Sequence, residues 1–182
     1  PFTQIVAAVA AGNSVILKPS SETPLTGQLI SDLFRESGFP EDLVIAIHGP
    51  GTSRALAASP GVNRIVFTGS TETGRDVMRS AAANLTPVTL ELGGKDAMIV
   101  FDDADLDRAA ECAVWASFVN SGQVCVGLRR IYVQEGSFER FLALMKAKAS
   151  ELRQGNGWED PGVSVGPMIN EEAASKMESL CA

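Results

Sequence analysis

The stretch Arg64-Ile65-Val66-Phe67-Thr68-Gly69-Ser70-Thr71-Glu72-Thr73-Gly74 reads as a strand, a tight turn and the opening of a helix. Arg64 to Phe67 ends in an apolar, β-branched run of strand type. The following helix carries Val77 and Met78, and Pro87 leads into another strand, Val88 to Leu92. The same unit recurs upstream. Ser14 to Leu17 reads as a buried strand, Thr23-Pro24 as the start of a helix, and Leu29, Ile30, Leu33 and Phe34 as its apolar face. Gly38 and Pro40 end that helix. Leu43 to Ile47 is then a strand, Gly49-Pro50-Gly51 a turn, and a short helix runs through Leu56. Strand–helix–strand units of this size imply an α/β fold, a parallel sheet with flanking helices.

Beyond Gly93-Gly94 the alternation continues. Ala97 to Phe101 reads as a strand, and Asp102-Asp103-Ala104-Asp105 offers carboxylates to a helix start, where the helix dipole favours them. That helix holds Leu106, Ala109, Ala110, Ala113 and Val114. Arg130 to Val133 is a strand, Ser137 caps a helix to about Leu152, and a loop rich in glycine and proline spans Gly155 to Pro167. Asn170-Glu171-Glu172 begins the last helix. Gly93-Gly94 is the natural hinge, dividing the chain into 1–93 and 94–182. The apolar start from Ile5 to Ala11 and the helix-like end at Ser179-Leu180-Cys181-Ala182 both read as cuts through a longer protein.

The 182 residues are 45% hydrophobic, enough for a sizeable core. The net charge of −7, with pI near 4.7, shows none of the basic patch of a nucleic-acid binder. No apolar run reaches the length of a membrane span, so no membrane partner is expected. Three irregularly spaced cysteines do not form a disulfide framework and favour a reducing, cytoplasmic setting. No metal site is expected.

Four segments carry chemistry. Cys125 lies in Asn120-Ser121-Gly122-Gln123-Val124-Cys125-Val126-Gly127, a polar loop bounded by glycines that let backbone approach a ligand. Cys112, in an alanine-rich helix, reads instead as a small buried hydrophobe. His48 is the only histidine and is read as structural, so a cysteine–histidine pair is a poor description and the thiol would depend on backbone N–H groups, a helix end or a carboxylate base. Glu91, in Leu90-Glu91-Leu92-Gly93-Gly94-Lys95, ends an apolar strand and, if buried there, suits a general base; alternatively it pairs with Lys95 or caps a turn. A thiol and a carboxylate together can make and hydrolyse a thioester. Gly69-Ser70-Thr71 before a helix N-terminus is an anion site suited to pyrophosphate, although an ordinary capped helix would look the same. Lys18, in Lys18-Pro19-Ser20-Ser21-Glu22, ends a strand where parallel sheets bind ligands, or is simply solvated there.

Taken together and in order, these segments resemble the aldehyde dehydrogenase superfamily over essentially the whole chain. Leu90 to Lys95 resembles its glutamate signature and Gly122 to Cys125 its cysteine signature; Thr68 to Gly74 and Lys18-Pro19-Ser20 resemble its cofactor-binding motifs. The resemblance implies a Rossmann-like sheet, a partial NAD(P)-binding domain over 1–93, followed over 94–182 by part of an α/β catalytic domain. It implies NAD or NADP as cofactor, held by Lys18, Ser20, Ser21, Gly69, Ser70, Gly74 and Leu92. It implies that Cys125 attacks an aldehyde, that hydride leaves to the nicotinamide, that the Cys125 N–H helps hold the oxyanion, and that Glu91 activates the water hydrolysing the thioester. Glu91 favours a free acid over transfer to coenzyme A. A non-catalytic binding relative and a coenzyme-A-acylating relative are the alternatives.

Ser21 stands where many NAD-using members carry glutamate, which leaves room for a 2′-phosphate, with Glu22 still able to reach the ribose. The family's oxyanion asparagine, its downstream glutamate–phenylalanine motif and its oligomerisation strand have no counterpart here; Asn13 and Asn120 lie outside the asparagine's motif. The expectation is therefore an internal piece of an enzyme that works as a homodimer or homotetramer on a small aldehyde, inactive by itself. Val124 and Val126, if they line the pocket, favour an apolar aldehyde over a charged one.

Overall fold

The computed structural model describes residues 1–181. They form two compact units, one comprising Pro1–Thr68 and Glu72–Glu91, the other Gly69–Thr71 and the chain from Leu92 onward.

The first unit opens with α1 (Phe2–Ala10) and continues with β1 (Val15–Leu17), α2 (Pro24–Glu36), β2 (Val44–Ala46), α3 (Thr52–Ala57), β3 (Ile65–Thr68), all but the first residue of α4 (Thr71–Ala82), and β4 (Val88–Glu91). β1 pairs with β2 in parallel, Val15 opposite Val44 and Leu17 opposite Ala46. β3 pairs with β4, Ile65 opposite Val88 and Thr68 opposite Glu91. The α/β alternation and the parallel pairing follow the sequence pattern. The sheet, however, is laid down among the described residues as separate two-stranded pairs. The strands are also not buried on both faces: Ile16 and Ile45 are register partners and are 51% and 39% exposed.

Two helices depart from expectation. The apolar stretch from Ile5 is a full helix, α1, packed through Ile5. In α2 the proline does stand at the start, where its missing N–H costs nothing. Its buried face is Gly27, Ile30, Ser31 and Phe34, with Leu29 and Leu33 turned outward. One polar and one steric contact explain this rotation. The Ser31 hydroxyl donates to the Val44 carbonyl at 2.7 Å, and Gly27 lies where a Cβ would strike the Pro19 ring. Ile5, Ile30, Phe34 and Val44 form the core, joined by Val9, Val15, Leu17 and Leu43.

The second unit holds β5 (Asp96–Val100), α5 (Leu106–Phe118), β6 (Leu128–Val133), α6 (Phe138–Ser150) and α7 (Glu171–Cys181). β5 and β6 are parallel, Val100 opposite Val133, with an irregularity between Asp96 and Ala97. Their core is Val100, Leu106, Ala110, Ala113, Leu128 and Phe141. Asp105 caps α5, its carboxylate accepting from the Arg108 N–H at 3.2 Å. Asn170 does the same for α7 through the Ala173 N–H at 2.9 Å. Ser137 stands at the start of α6 but does not cap it: its hydroxyl donates to Asp102 at 2.8 Å.

Candidate functional site

After α5 the chain leaves helical geometry abruptly. Asn120, Ser121 and Gly122 all take left-handed backbone, with φ of 51°, 58° and 72°. Left-handed geometry costs an L-residue about 1–2 kcal/mol, so Ser121 holds it only because its neighbours impose it. The bend is fastened locally, the Gln123 N–H and side-chain amide both donating to the Asn120 carbonyl at 3.1 and 3.2 Å. The Asn120 amide returns a bond to the Gln123 carbonyl at 3.3 Å. A tight turn follows, the Gly127 N–H donating to the Val124 carbonyl at 3.1 Å, and Cys125 stands at its crest with an exposed, unpaired thiol. Gly127 and Leu128 then go inside and β6 begins.

Distant parts of the same unit hold this loop. The Ser121 hydroxyl donates to the Gly166 carbonyl at 2.8 Å, and the Gln123 side chain accepts from the Ile169 N–H at 2.9 Å. The long glycine- and proline-rich segment is thus anchored at its end to the Cys125 loop. Upstream, Arg153 organises the same segment, donating to the Gly162 carbonyl at 2.8 Å and pairing with Asp160 at 3.1 Å. Gly94 approaches from another side, where a Cβ would stand 2.9 Å from the Cys125 carbonyl oxygen. Arg129, which sequence reading passed over, lays its guanidinium against the loop: it donates to the carbonyls of Gly122 and Leu128. Nothing in the sequence marks an arginine in a strand as a partner of loop carbonyls.

The other expected residues are placed by strand ends. Glu91 is the last residue of β4, opposite Thr68, and it is exposed, so the condition of burial attached to its reading as a base is not met. Its unit is not that of Cys125. Lys18 and Pro19 are half-buried just after β1, whereas Ser20 and Ser21 are exposed. The Glu22 N–H donates to the Ser20 hydroxyl at 3.2 Å, which tightens that turn. Gly27 of α2 admits the Pro19 ring and so fixes where the Lys18 segment runs. Gly69 and Ser70 are exposed at the start of the twelve-residue α4, Gly74 is buried within it, and Leu92 is half-buried.

Cys112 is exposed, not buried. The inward face of α5 is taken by Leu106, Ala110, Ala113 and Val114, which leaves Cys112 on the opposite face beside Arg108, Glu111 and Trp115. His48 is exposed and within 3.2 Å of the Gln28 side chain. Among the described residues no group of three or more His, Cys, Asp or Glu could hold a metal ion. No described helix is long and apolar enough to cross a membrane.

Comparison with known proteins finds relatives of the chain. A protein of Sinorhizobium fredii described as "Probable succinate-semialdehyde dehydrogenase [NADP(+)]" is 43% identical over 178 residues, 96% of this chain and 36% of its own length. The 2-hydroxymuconic semialdehyde dehydrogenase of a Pseudomonas species is 44% identical over 175 residues, 94% of this chain and 36% of its own. The crystal structure of an E. coli NADP dependent enzyme superposes with a TM-score of 0.90 at 40% identity, covering 97% of this chain and 37% of that one. The chain thus spans little more than a third of the length of these relatives. The sequence profile of the aldehyde dehydrogenase family matches residues 1–182, and the chain belongs to that family.

Proposed function

We propose that this chain serves the NAD(P)-dependent oxidation of an aldehyde to a carboxylic acid, with Cys125 as nucleophile and Glu91 as general base. The observation that carries the reading is the Cys125 loop: an exposed thiol on a turn that left-handed backbone and long-range hydrogen bonds fix in place. Strained backbone maintained at this cost is characteristic of functional sites.

The residues present fit a nicotinamide dinucleotide in their donor chemistry. Lys18, Ser20 and Ser21 supply an ammonium and hydroxyls suited to ribose and phosphate, and Gly69, Ser70 and Gly74 open a helix whose N-terminus favours a pyrophosphate. Leu92 would complete the contact. When bound, the nicotinamide supplies the acceptor for the hydride that leaves the substrate carbon. With its proton lost to solvent, the Cys125 sulfur adds as thiolate to the aldehyde carbon to give the thiohemiacetal alkoxide, and loss of hydride from that carbon, as the C–O bond becomes a carbonyl, leaves a thioester on the same sulfur. Glu91 takes a proton from water, whose oxygen attacks the thioester carbon; the acid departs and the thiol is restored. The Cys125 N–H would stabilise the oxyanion in both additions.

Ser21 and the NADP named for two of the relatives support use of NADP. The semialdehydes named for two relatives support a substrate that carries a carboxylate, in place of the apolar aldehyde that Val124 and Val126 suggested. Residues 1–93 would contribute to the cofactor domain and 94–182 to the catalytic domain. A homodimeric or homotetrameric enzyme of the cytoplasm is part of the same reading, and the free Cys112 and Cys125 agree with its reducing setting.

Steady-state kinetics on the full-length polypeptide carrying this sequence test it. The expected result is aldehyde-dependent reduction of NADP, at least as efficient as that of NAD, with succinate semialdehyde preferred over hexanal. No reduction of either nucleotide by either aldehyde would sink the reading.

A further inference from the structure

The Cys125 loop runs from Gly122, the last left-handed residue, to Leu128, the first residue of β6. Arg129 binds both of these ends. Its Nη2 donates to the Gly122 carbonyl and its Nη1 to the Leu128 carbonyl, the latter at 3.3 Å. One planar guanidinium therefore closes the loop across its mouth. The two glycines of the loop are accommodated to it. A Cβ on Gly127 would stand 2.9 Å from Nη1, and one on Gly122 would stand 4.0 Å from both terminal nitrogens.

We propose that Arg129 is a positioning residue for Cys125, its fork holding together the two ends of the turn that presents the thiol. The proposal rests on Cys125 being the nucleophile, but the clamp itself can be tested without that premise. Three features favour a mechanical role. The loop's left-handed stretch costs free energy and would relax if released. Bonds from an ionised donor to a carbonyl are stronger than neutral ones, so the clamp can offset that cost. Finally, a fork with several fixed donors can hold two carbonyls at once, a geometry that an ammonium on a flexible stem does not reproduce.

The test uses the full-length polypeptide with Arg129→Leu and Arg129→Lys. Hydrogen exchange of the amides from Gln123 to Gly127 reads the clamp. The ratio of kcat to KM for the cofactor reads positioning, since a displaced nucleophile lowers kcat and leaves nucleotide binding alone. Arg129→Leu is expected to speed exchange in these amides about tenfold, leaving α5 unchanged, because the loop opens locally. It is expected to lower kcat by about 10- to 100-fold, the scale of a misplaced reacting group, with KM for NAD(P) constant. Arg129→Lys should behave closer to leucine than to arginine.

Unchanged exchange in Arg129→Leu overturns the clamp. Faster exchange with unchanged kcat overturns its role in positioning. Wild-type behaviour in Arg129→Lys overturns the fork, since charge alone would then suffice. If Cys125→Ser retains full activity, the nucleophile assignment fails and the positioning role fails with it, while the exchange result still decides whether the clamp exists.

Discussion

Cys112 and Cys125 are both exposed, unpaired thiols of the same unit, and their surroundings have almost nothing in common. Cys112 rides on the outer face of α5, a helix kept in place by its own hydrogen-bond ladder and by Ala110, Ala113 and Leu106 packed inside. Cys125 stands on a turn that no regular ladder supports. Its backbone follows three left-handed residues, and its shape depends on Ser121, Gln123 and Arg129 reaching elsewhere. Exposure therefore does not separate the two thiols. What separates them is how the backbone beneath each is held, and only the second arrangement has a cost that calls for a function.

The largest expected contrast is catalytic. In the full-length polypeptide Cys125→Ser should reduce aldehyde oxidation by a factor on the order of 10⁴ or more, because the covalent route is lost and residual binding contributes little. Initial-rate measurements against wild type would reveal it. Comparable activity in the variant would erase the distinction between the two thiols.

The next contrast concerns what holds each region. Phe141 of α6 packs in the core beneath α5 and is 3% exposed. Phe141→Ala should cost about 3–5 kcal/mol in stability by denaturant unfolding, as expected for a large core truncation. If the cost is below 1 kcal/mol, the core does not hold the helix bearing Cys112 in the manner described. Gly127→Ala is smaller and opposite in kind: the added methyl meets the Arg129 guanidinium and the Val124 carbonyl, each at 2.9–3.0 Å. Overpacking of this sort costs about 1–3 kcal/mol, and it should loosen the Cys125 loop in hydrogen exchange and leave α5 protected. Loosening of α5 as well would mean that the two regions are not independent.

The smallest effect is expected at the reference thiol. Cys112→Ser should shift stability by less than about 0.5 kcal/mol and leave kcat unchanged, as for a surface position without special contacts. A clear loss of activity would transfer the functional reading to the α5 face.

How much of this was visible in the sequence depends on the kind of interaction. Alternation of strands and helices came through because hydrophobic period and Gly/Pro punctuation are local signals; Asp105 and Asn170 emerged as helix starts for the same reason. The Cys125 loop was conspicuous by its glycines. Facing was harder. In α5 alanines surround the helix, so composition could not say that Ala110 and Ala113 turn inward and Cys112 outward. In α2 the buried stripe was set by Gly27 against Pro19 and Ser31 against Val44, both tertiary contacts that periodicity cannot register. The sequence shows α1 only as an apolar stretch because it lacks a side-chain cap and any acidic residue in its first turn. The apolar strand leaves the burial of Glu91 open, because a strand's last residue can leave the core while its neighbours remain half-buried. Arg129 and the ties from Ser121 and Gln123 were invisible, since bonds between side chains and distant carbonyls or amides have no sequence period.

The most direct test of the account is to trap the acyl group. In the full-length polypeptide with Glu91→Gln, incubation with aldehyde and NAD(P) should allow the thioester to form and should slow its hydrolysis. Peptide mass spectrometry is then predicted to find the acyl group on the peptide containing Cys125 and none on that containing Cys112. An acyl group on Cys112, or none on Cys125 while nucleotide is still being reduced, would contradict the assignment of Cys125 as the nucleophile.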